Sequence, residues 1–285
     1  MKIYILPVSP EYQPRTQPFI YPAHNRDFGV EQDFYHYLLK HKDIVVESPG
    51  EADWHYLPIY WTRWHLNHEY AKTGLADLQE EVDKVIIDGR RTFTICQYDD
   101  GPIVNLPKVR IFLSSRKTNK GEDIPLLSTQ HVLPLVKPKK KYLASFVGRI
   151  ATHKIRSSMR MHLENIDGIN IVDGDIGVRT YVKTLLQSYV ALCPRGYGGS
   201  SFRFYEAMQL GVVPFLIGDL DTRPFKGSIN WERCSMYTNN PKYIMPIINS
   251  YPQSRLLEMG RYAKEVWKHE LQYQKWCNLA LDELE

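Results

Sequence analysis

A chain of 285 residues with 43% hydrophobic and 24% charged residues has the balance of a water-soluble globular protein and the length for two compact domains. Its net charge of +4 suits an anionic ligand and excludes the dense basic character of a nucleic-acid binder; no apolar stretch approaches the roughly 20 residues that cross a bilayer. Four widely spaced cysteines, Cys96, Cys193, Cys234 and Cys277, show no CxxC or Cys/His spacing, so no zinc site is expected and reduced thiols in a cytosol-like compartment fit.

The N-terminal MKIYILP carries one Lys and a short apolar patch stopped by Pro7, too short for a secretory leader. KIYIL therefore reads as the first strand. The helical pattern VEQDFYHYLLKH follows, then the strand-like runs DIVVE and WHYLPIYW, the helical LADLQEEVDKVIIDG, and the strands TFTICQYD and VRIFLSS. The run KPKKK at Lys137 to Lys141 reads as a solvated linker and divides the chain into residues 1–138 and 139–285. The alternation then resumes with YLASFVGR, a helix over 154–163, INIVDG, a helix over 178–188, YVALCP, a further helix and VVPFLIGD. Strands apolar without alternation are those of parallel sheets covered on both faces by helices, so two doubly wound α/β domains are predicted. Residues 254–285 carry apolar positions at helical spacing, interrupted near His269, and read as one or two closing helices.

The chemistry gathers in ALCPRGYGGSSFRFYEAMQLGVVPFLIGD. A buried strand ends in Pro194, Arg195 and Gly196. A glycine turn follows that lets a ligand approach the backbone closely. A helix then starts, with Ser200 or Ser201 as its N-cap and Gly211 as its stop. Free N–H groups and the dipole at such a helix start, outside the carboxyl end of a strand, favour a phosphate. Arg203 and Glu206 lie one turn apart on one helix face. They fit either a guanidinium forked onto phosphate with a carboxylate on ribose hydroxyls, or an ordinary surface ion pair.

Pro194, Gly196, Ser201, Arg203, Glu206, Ala207, Gly211, Pro214, Pro224, Phe225 and Trp231 together resemble the donor-binding half of exostosin-like glycosyltransferases. FVGR with His153, Lys154 and Arg156 resembles an upstream strand and helix of that family. VEQDFYHYLL, SPGEADWHYLPIYW and QYDDGP resemble its first half, so the likeness covers nearly the whole chain. It implies the GT-B fold, two facing Rossmann-like domains whose last helices can cross back to the first. It also implies inversion at the anomeric carbon and a uridine diphosphate sugar, with a lean to xylose or galactose, and a glycan acceptor. The donor set expected from the glycine turn and the likeness together is Arg149, Arg156, Arg195, Gly196, Ser200, Ser201, Arg203 and Glu206; the likeness implies Arg203 on the diphosphate and Glu206 on the ribose. The absence of a membrane anchor or stem in the sequence, and its shortness, suggest a cytoplasmic enzyme of the bacterial or large-algal-virus kind.

Inverting transfer also needs a base. The acidic candidates are Asp99 and Asp100 in QYDDGP and Asp77 in GLADLQ, with His24 and Asp27 in PAHNRDFG. His24, Tyr60 and Trp61 are the candidates for the acceptor side, the aromatic residues serving either as a sugar platform or as core. His55 reads as a strand residue. The acidic pairs Asp173/Asp175, Asp219/Asp221 and Asp99/Asp100 imitate a metal motif, but arginines and a helix N-terminus already cover the phosphate charge, so no metal or other cofactor is expected. A guanosine diphosphate sugar transferase of the same shape and a noncatalytic carbohydrate-binding protein are the competing readings.

Overall fold

The computed structural model describes residues 1–17, 29–128 and 130–285. The chain forms two compact units, Met1–Leu127 with Tyr273–Glu285, and Ser128–Gln272. The first holds strands β1 (Ile3–Ile5), β2 (Val45–Val46), β3 (Trp54–Tyr56), β4 (Thr92–Cys96), β5 (Arg110–Leu113) and β6 (Glu122–Asp123), and helices α1 (Val30–Lys40), α2 (Trp61–Asn67) and α3 (Leu75–Val85). The second holds β7 (Tyr142–Gly148), α4 (Lys154–Leu163), β8 (Ile169–Asp173), α5 (Val178–Leu186), β9 (Ser188–Pro194), α6 (Phe202–Leu210), β10 (Val213–Ile217), β11 (Met236–Thr238), α7 (Ile244–Asn249) and α8 (Gln253–Val266). A π-helical turn over Trp267–Leu271 follows α8 at the position of the expected break, and α9 (Trp276–Asp282) rejoins the first unit.

Both sheets are parallel in every pairing. Their orders are β2-β1-β3-β4-β5-β6 and β8-β7-β9-β10-β11. Each chain path starts inside its sheet, places the next strand on one side and the remainder on the other, so each sheet has one point where strand order reverses. The central strands β4 and β10 are buried at every residue, which is why their sequences lack alternation. In the second unit Phe146, Val190, Leu192, Val213 and Phe215 meet Met159 of α4 and Met259 of α8 in one core. Gly211 ends α6 with φ 72°, a left-handed stop that spares the side-chain clash any other residue would meet. Among the described residues no helix is long and apolar enough to cross a membrane.

Two boundaries differ from expectation. The units divide at 127/128 rather than 138/139, and the closing segment from Tyr273, grouped with residues 139–285 by that division, returns to the first unit, as closing helices that cross back would. Trp276 explains the latter: it is wholly buried, lies 5.7 Å from the Phe34 ring, and donates from Nε1 to Asp33 Oδ2 at 2.9 Å. WHYLPIYW also splits. β3 stops at Tyr56, before Pro58, and a helix begins at Trp61, because proline has no N–H to give to a ladder. His55 lies in β3 and is buried, as read.

The first turn of α1 carries two buried carboxylates. Glu31 is fully enclosed; it accepts from Thr62 N at 3.1 Å, Thr62 Oγ1 at 2.8 Å and Gln97 N at 2.9 Å. Gln97 answers through its side-chain oxygen, which accepts from Val30 N at 3.3 Å. Asp33 accepts from Gln274 N at 2.7 Å as well as from Trp276. One helix start therefore clamps the end of β4, the start of α2 and the returning tail. Burial pushes Glu31 up to about 7 and raises Asp33, against the hydrogen bonds that favour their charged forms.

Trp276→Ala should cost the first unit about 3–5 kcal/mol, the usual range for emptying a buried tryptophan site, read as a lowered urea midpoint; a loss under about 1 kcal/mol would mean that the tail is not core. For Glu31 the folded pKa lies above the unfolded one, so between about 4.5 and 7 the folded state binds more protons. Its contribution is thus most favourable at low pH and is lost as pH rises through that window. Glu31→Gln should flatten this fall in the urea midpoint; equal slopes in both proteins would contradict the assignment.

Candidate active site at the strand-order reversal of the second unit

The order β8-β7-β9 makes the carboxyl ends of β7 and β9 the edges of a crevice, the place where open parallel sheets take ligands. Arg203, on the first turn of α6, reaches across to β7. Its Nη2 donates to the Val147 carbonyl, and its guanidinium carbon lies 4.6 Å from the centre of the Phe146 ring. The Arg156 guanidinium lies 5.7 Å from the same ring. Residue 148 has φ +148°, and a Cβ there would collide with Arg203 Nη2, so only glycine lets the guanidinium take this position. Arg203 Nε is buried and has no hydrogen-bond partner among the described residues.

Arg156 is 8% exposed and fastens the two strand ends together. Its Nε donates to the Arg195 carbonyl at 2.9 Å, Nη1 to the Arg149 carbonyl at 2.9 Å and Nη2 to the Pro194 carbonyl at 3.4 Å. It charges the floor of the crevice while its donors serve the backbone. Arg195 is also buried; it pairs with Asp219 and donates to the Tyr197 carbonyl at 3.1 Å. Burial works against ionisation of Asp219, but the hydrogen bond and charge of Arg195 hold its carboxyl below the usual range. Arg149 stands exposed just beyond β7. Burial first, then the charges of Arg195, Lys154 and Arg156 against the opposing charge of Asp219, keep His153 below the ordinary histidine range, as a cationic crevice should.

The glycine turn runs from Gly196, where a Cβ would lie 3.3 Å from Arg156 Nη2, to Ser200 and Ser201, both buried. Ser201 is the N-cap residue of α6, in extended conformation, but its hydroxyl makes no capping bond. The turn is braced from the far side by Thr222 Oγ1, which donates to the Gly199 carbonyl at 3.2 Å. Trp231 donates to the Pro224 carbonyl at 2.6 Å and packs 5.5 Å from Phe204, so Pro224 and Trp231 shape the loop behind the crevice.

One turn along α6, Glu206 is 2% exposed. Its Oε1 accepts from His131 Nε2 at 2.9 Å and its Oε2 from Tyr181 OH at 2.6 Å. Neither partner is local to the helix: they lie 75 and 25 residues away along the chain. Burial foremost, then the adjacent carboxylate, raises Tyr181 well above the ordinary phenol range, so it stays a donor. Arg203 and Glu206 are thus separately engaged, not the simple surface pair that helical spacing allows.

The first-unit candidates scatter. Asp99 and Asp100 lie in a turn closed by Gly101 N on the Tyr98 carbonyl at 2.9 Å, just beyond β4. Asp100 is exposed and pairs with Lys117 at 2.6 Å. Asp77 is exposed in the first turn of α3. Tyr60 is the N-cap residue of α2 and lines a cleft of about 500 Å³ with Arg15, Gln32, His36 and Arg63; burial foremost pushes its phenol up to about 12. Trp61 is corrected: it is wholly buried and donates to Thr94 Oγ1 at 2.8 Å, so it is core and offers no face to a sugar. His24 and Asp27 lie outside the described residues. The acidic pairs are spent on protein partners: Asp173 accepts from Ile150 N at 2.8 Å, Asp175 from Gly177 N at 2.8 Å, and Asp221 from Arg223 at 2.9 Å. No three His, Cys, Asp or Glu side chains converge among the described residues.

Residues 1–246 match the family described as "Exostosin GT47 domain". "Exostosin-1" of Drosophila melanogaster is 29% identical over 154 residues, 45% of this chain and 20% of that protein. "Exostosin-1 homolog" of Caenorhabditis elegans is 24% identical over 316 residues, 93% of this chain and 80% of that protein. "Probable beta-1,4-xylosyltransferase IRX10L" of Arabidopsis thaliana is 30% identical over 84 residues, 29% of this chain and 20% of that protein. With a family match running from the first strand through α6 and β10 into α7, the chain belongs to the exostosin GT47 family of glycosyltransferases.

Proposed function

We propose that this glycosyltransferase moves a sugar from a uridine diphosphate donor to a hydroxyl of a glycan, with inversion at the anomeric carbon. The observation that carries the reading is the cationic crevice at the end of β7, where Arg203 is pinned beside Gly148 and Arg149 stands exposed. The acceptor oxygen attacks the anomeric carbon in line as the bond to the diphosphate oxygen breaks, and the electron pair leaves on the diphosphate. Arg203, Arg149 and the N-terminus of α6 meet that developing charge without reorganising, with Arg156 and Arg195 setting the potential around them. This charge supply calls on no metal. Glu206, next along the same helix, is the ribose ligand. Kinship with exostosins and with a protein named as a xylosyltransferase supports a glycan acceptor and puts the xylose donor first for trial, with the galactose donor second.

The acceptor's proton goes to a carboxylate of the first unit. Asp99, the less exposed carboxylate of the turn after β4, comes first for this role, with Asp100 and the exposed Asp77 behind it. The enzyme works in the cytoplasm.

Two measurements test the reading. In calorimetric titration UDP should bind more tightly than GDP, and Arg203→Ala should weaken UDP about 10- to 100-fold, the equivalent of about 1.5–3 kcal/mol for hydrogen bonds to a charged group. Unchanged affinity would remove Arg203 from the site, and absence of UDP release with any donor and glycan would favour a noncatalytic binder. Asp99→Asn should lower kcat by about 100-fold or more, the usual contribution of a positioned base, with UDP affinity retained; a parental kcat passes the role to Asp77 or Asp100.

A further inference from the structure

The carboxylate assigned to the ribose is already occupied. Glu206 has 3% of its side chain exposed, and each of its oxygens accepts from a protein donor, His131 Nε2 at 2.9 Å and Tyr181 OH at 2.6 Å. A ribose would offer that carboxylate two neighbouring hydroxyl donors, and the two side chains present the same pattern. The partners are unlike in their setting. Tyr181 belongs to α5, a packed helix of the same unit. His131 belongs to an irregular segment, and its neighbours are turned outward: Val132 is 91% and Val136 82% exposed. That segment is clipped to α6 at two points three residues apart on one face, through the His131 side chain on Glu206 and through His131 N on Gln209 Oε1 at 2.8 Å.

We propose that residues 130–137 form a strap whose His131 stands in for a ribose hydroxyl on Glu206, so that the nucleotide must displace His131 to bind. The inference rests on the donor reading given above. The strap is autoinhibitory in the thermodynamic sense: the competent state is the fraction of molecules with His131 released, and apparent affinity is reduced by that fraction. Tyr181 stays in place when the strap opens and orients the carboxylate for the incoming hydroxyls.

Titrations of UDP into the full chain separate the strap from its premise. His131→Ala should tighten UDP binding by about threefold or more, the factor expected if the strap is closed in at least two thirds of molecules. Gln209→Ala, which removes the second clip and leaves His131 in the chain, should tighten it in the same direction. Tyr181→Phe should not tighten it. If His131→Ala fails to fold, as judged by circular dichroism and thermal melting, Gln209→Ala decides alone. Unchanged or weaker UDP binding in the folded strap variants overturns the proposal and makes His131 a positioning residue for Glu206. Glu206→Gln distinguishes the two levels. It should weaken UDP in the parent and in the His131→Ala background; no effect in either removes Glu206 from the nucleotide site, and the strap falls with it.

Discussion

The hydrogen bond from Arg203 to the Val147 carbonyl is the joint on which the second unit's chemistry depends. A parallel strand that ends at a strand-order reversal leaves carbonyls beyond its ladder, and a buried carbonyl without a donor is costly. Arg203 meets that need from the first turn of α6, and in doing so fixes how closely α6 approaches β7. The glycine at 148 is the corollary, since any Cβ would occupy the space of the guanidinium. A residue that binds anions and a residue that closes the fold are here the same residue, and the Phe146 ring beneath supports it through its π face.

The two units solve one problem with opposite signs. At the carboxyl edge of the second sheet, buried cations answer carbonyls: Arg156 serves those of Arg149, Pro194 and Arg195. Near the corresponding edge of the first, buried anions answer N–H groups: Glu31 serves Thr62 and Gln97, and Asp33 serves Gln274. The first device leaves a positive crevice suited to a diphosphate. The second yields carboxylates enclosed in the scaffold, whose raised proton affinities follow from burial. The carboxylates of the β4 turn, by contrast, are partly or fully open to solvent.

Much of the second unit could be read from residues alone, because its signals are local. β9 and β10 are unbroken apolar runs, Gly211 stops a helix, and Arg203 with Glu206 fall one turn apart. What escaped was non-local or ambiguous in type. His131 is 75 residues from Glu206 and sits in a segment without periodicity, and Glu31 looks like any polar residue in an amphipathic helix until its partners on β4 and α2 come into place. Trp61 shows the second kind of limit: an aromatic beside others has the same letters whether it stacks on a sugar or fills a core, and only its burial against Thr94 decides. The closing periodicity announced helices but carried nothing about which sheet α9 would cover.

That last assignment bears on how the chain assembles during synthesis. Residues 128–272 are contiguous and contain every strand of the second sheet, so this unit can complete its core as soon as it clears the ribosome. The first unit begins earlier yet lacks Trp276 until residues 273–285 are translated, leaving a gap beside Phe34 through all that time. The order of completion is therefore the reverse of the order of synthesis, against the usual N-terminal-first course. Until α9 arrives, the apolar surface that a chaperone would shield lies in the unit whose strands are made before those of the other.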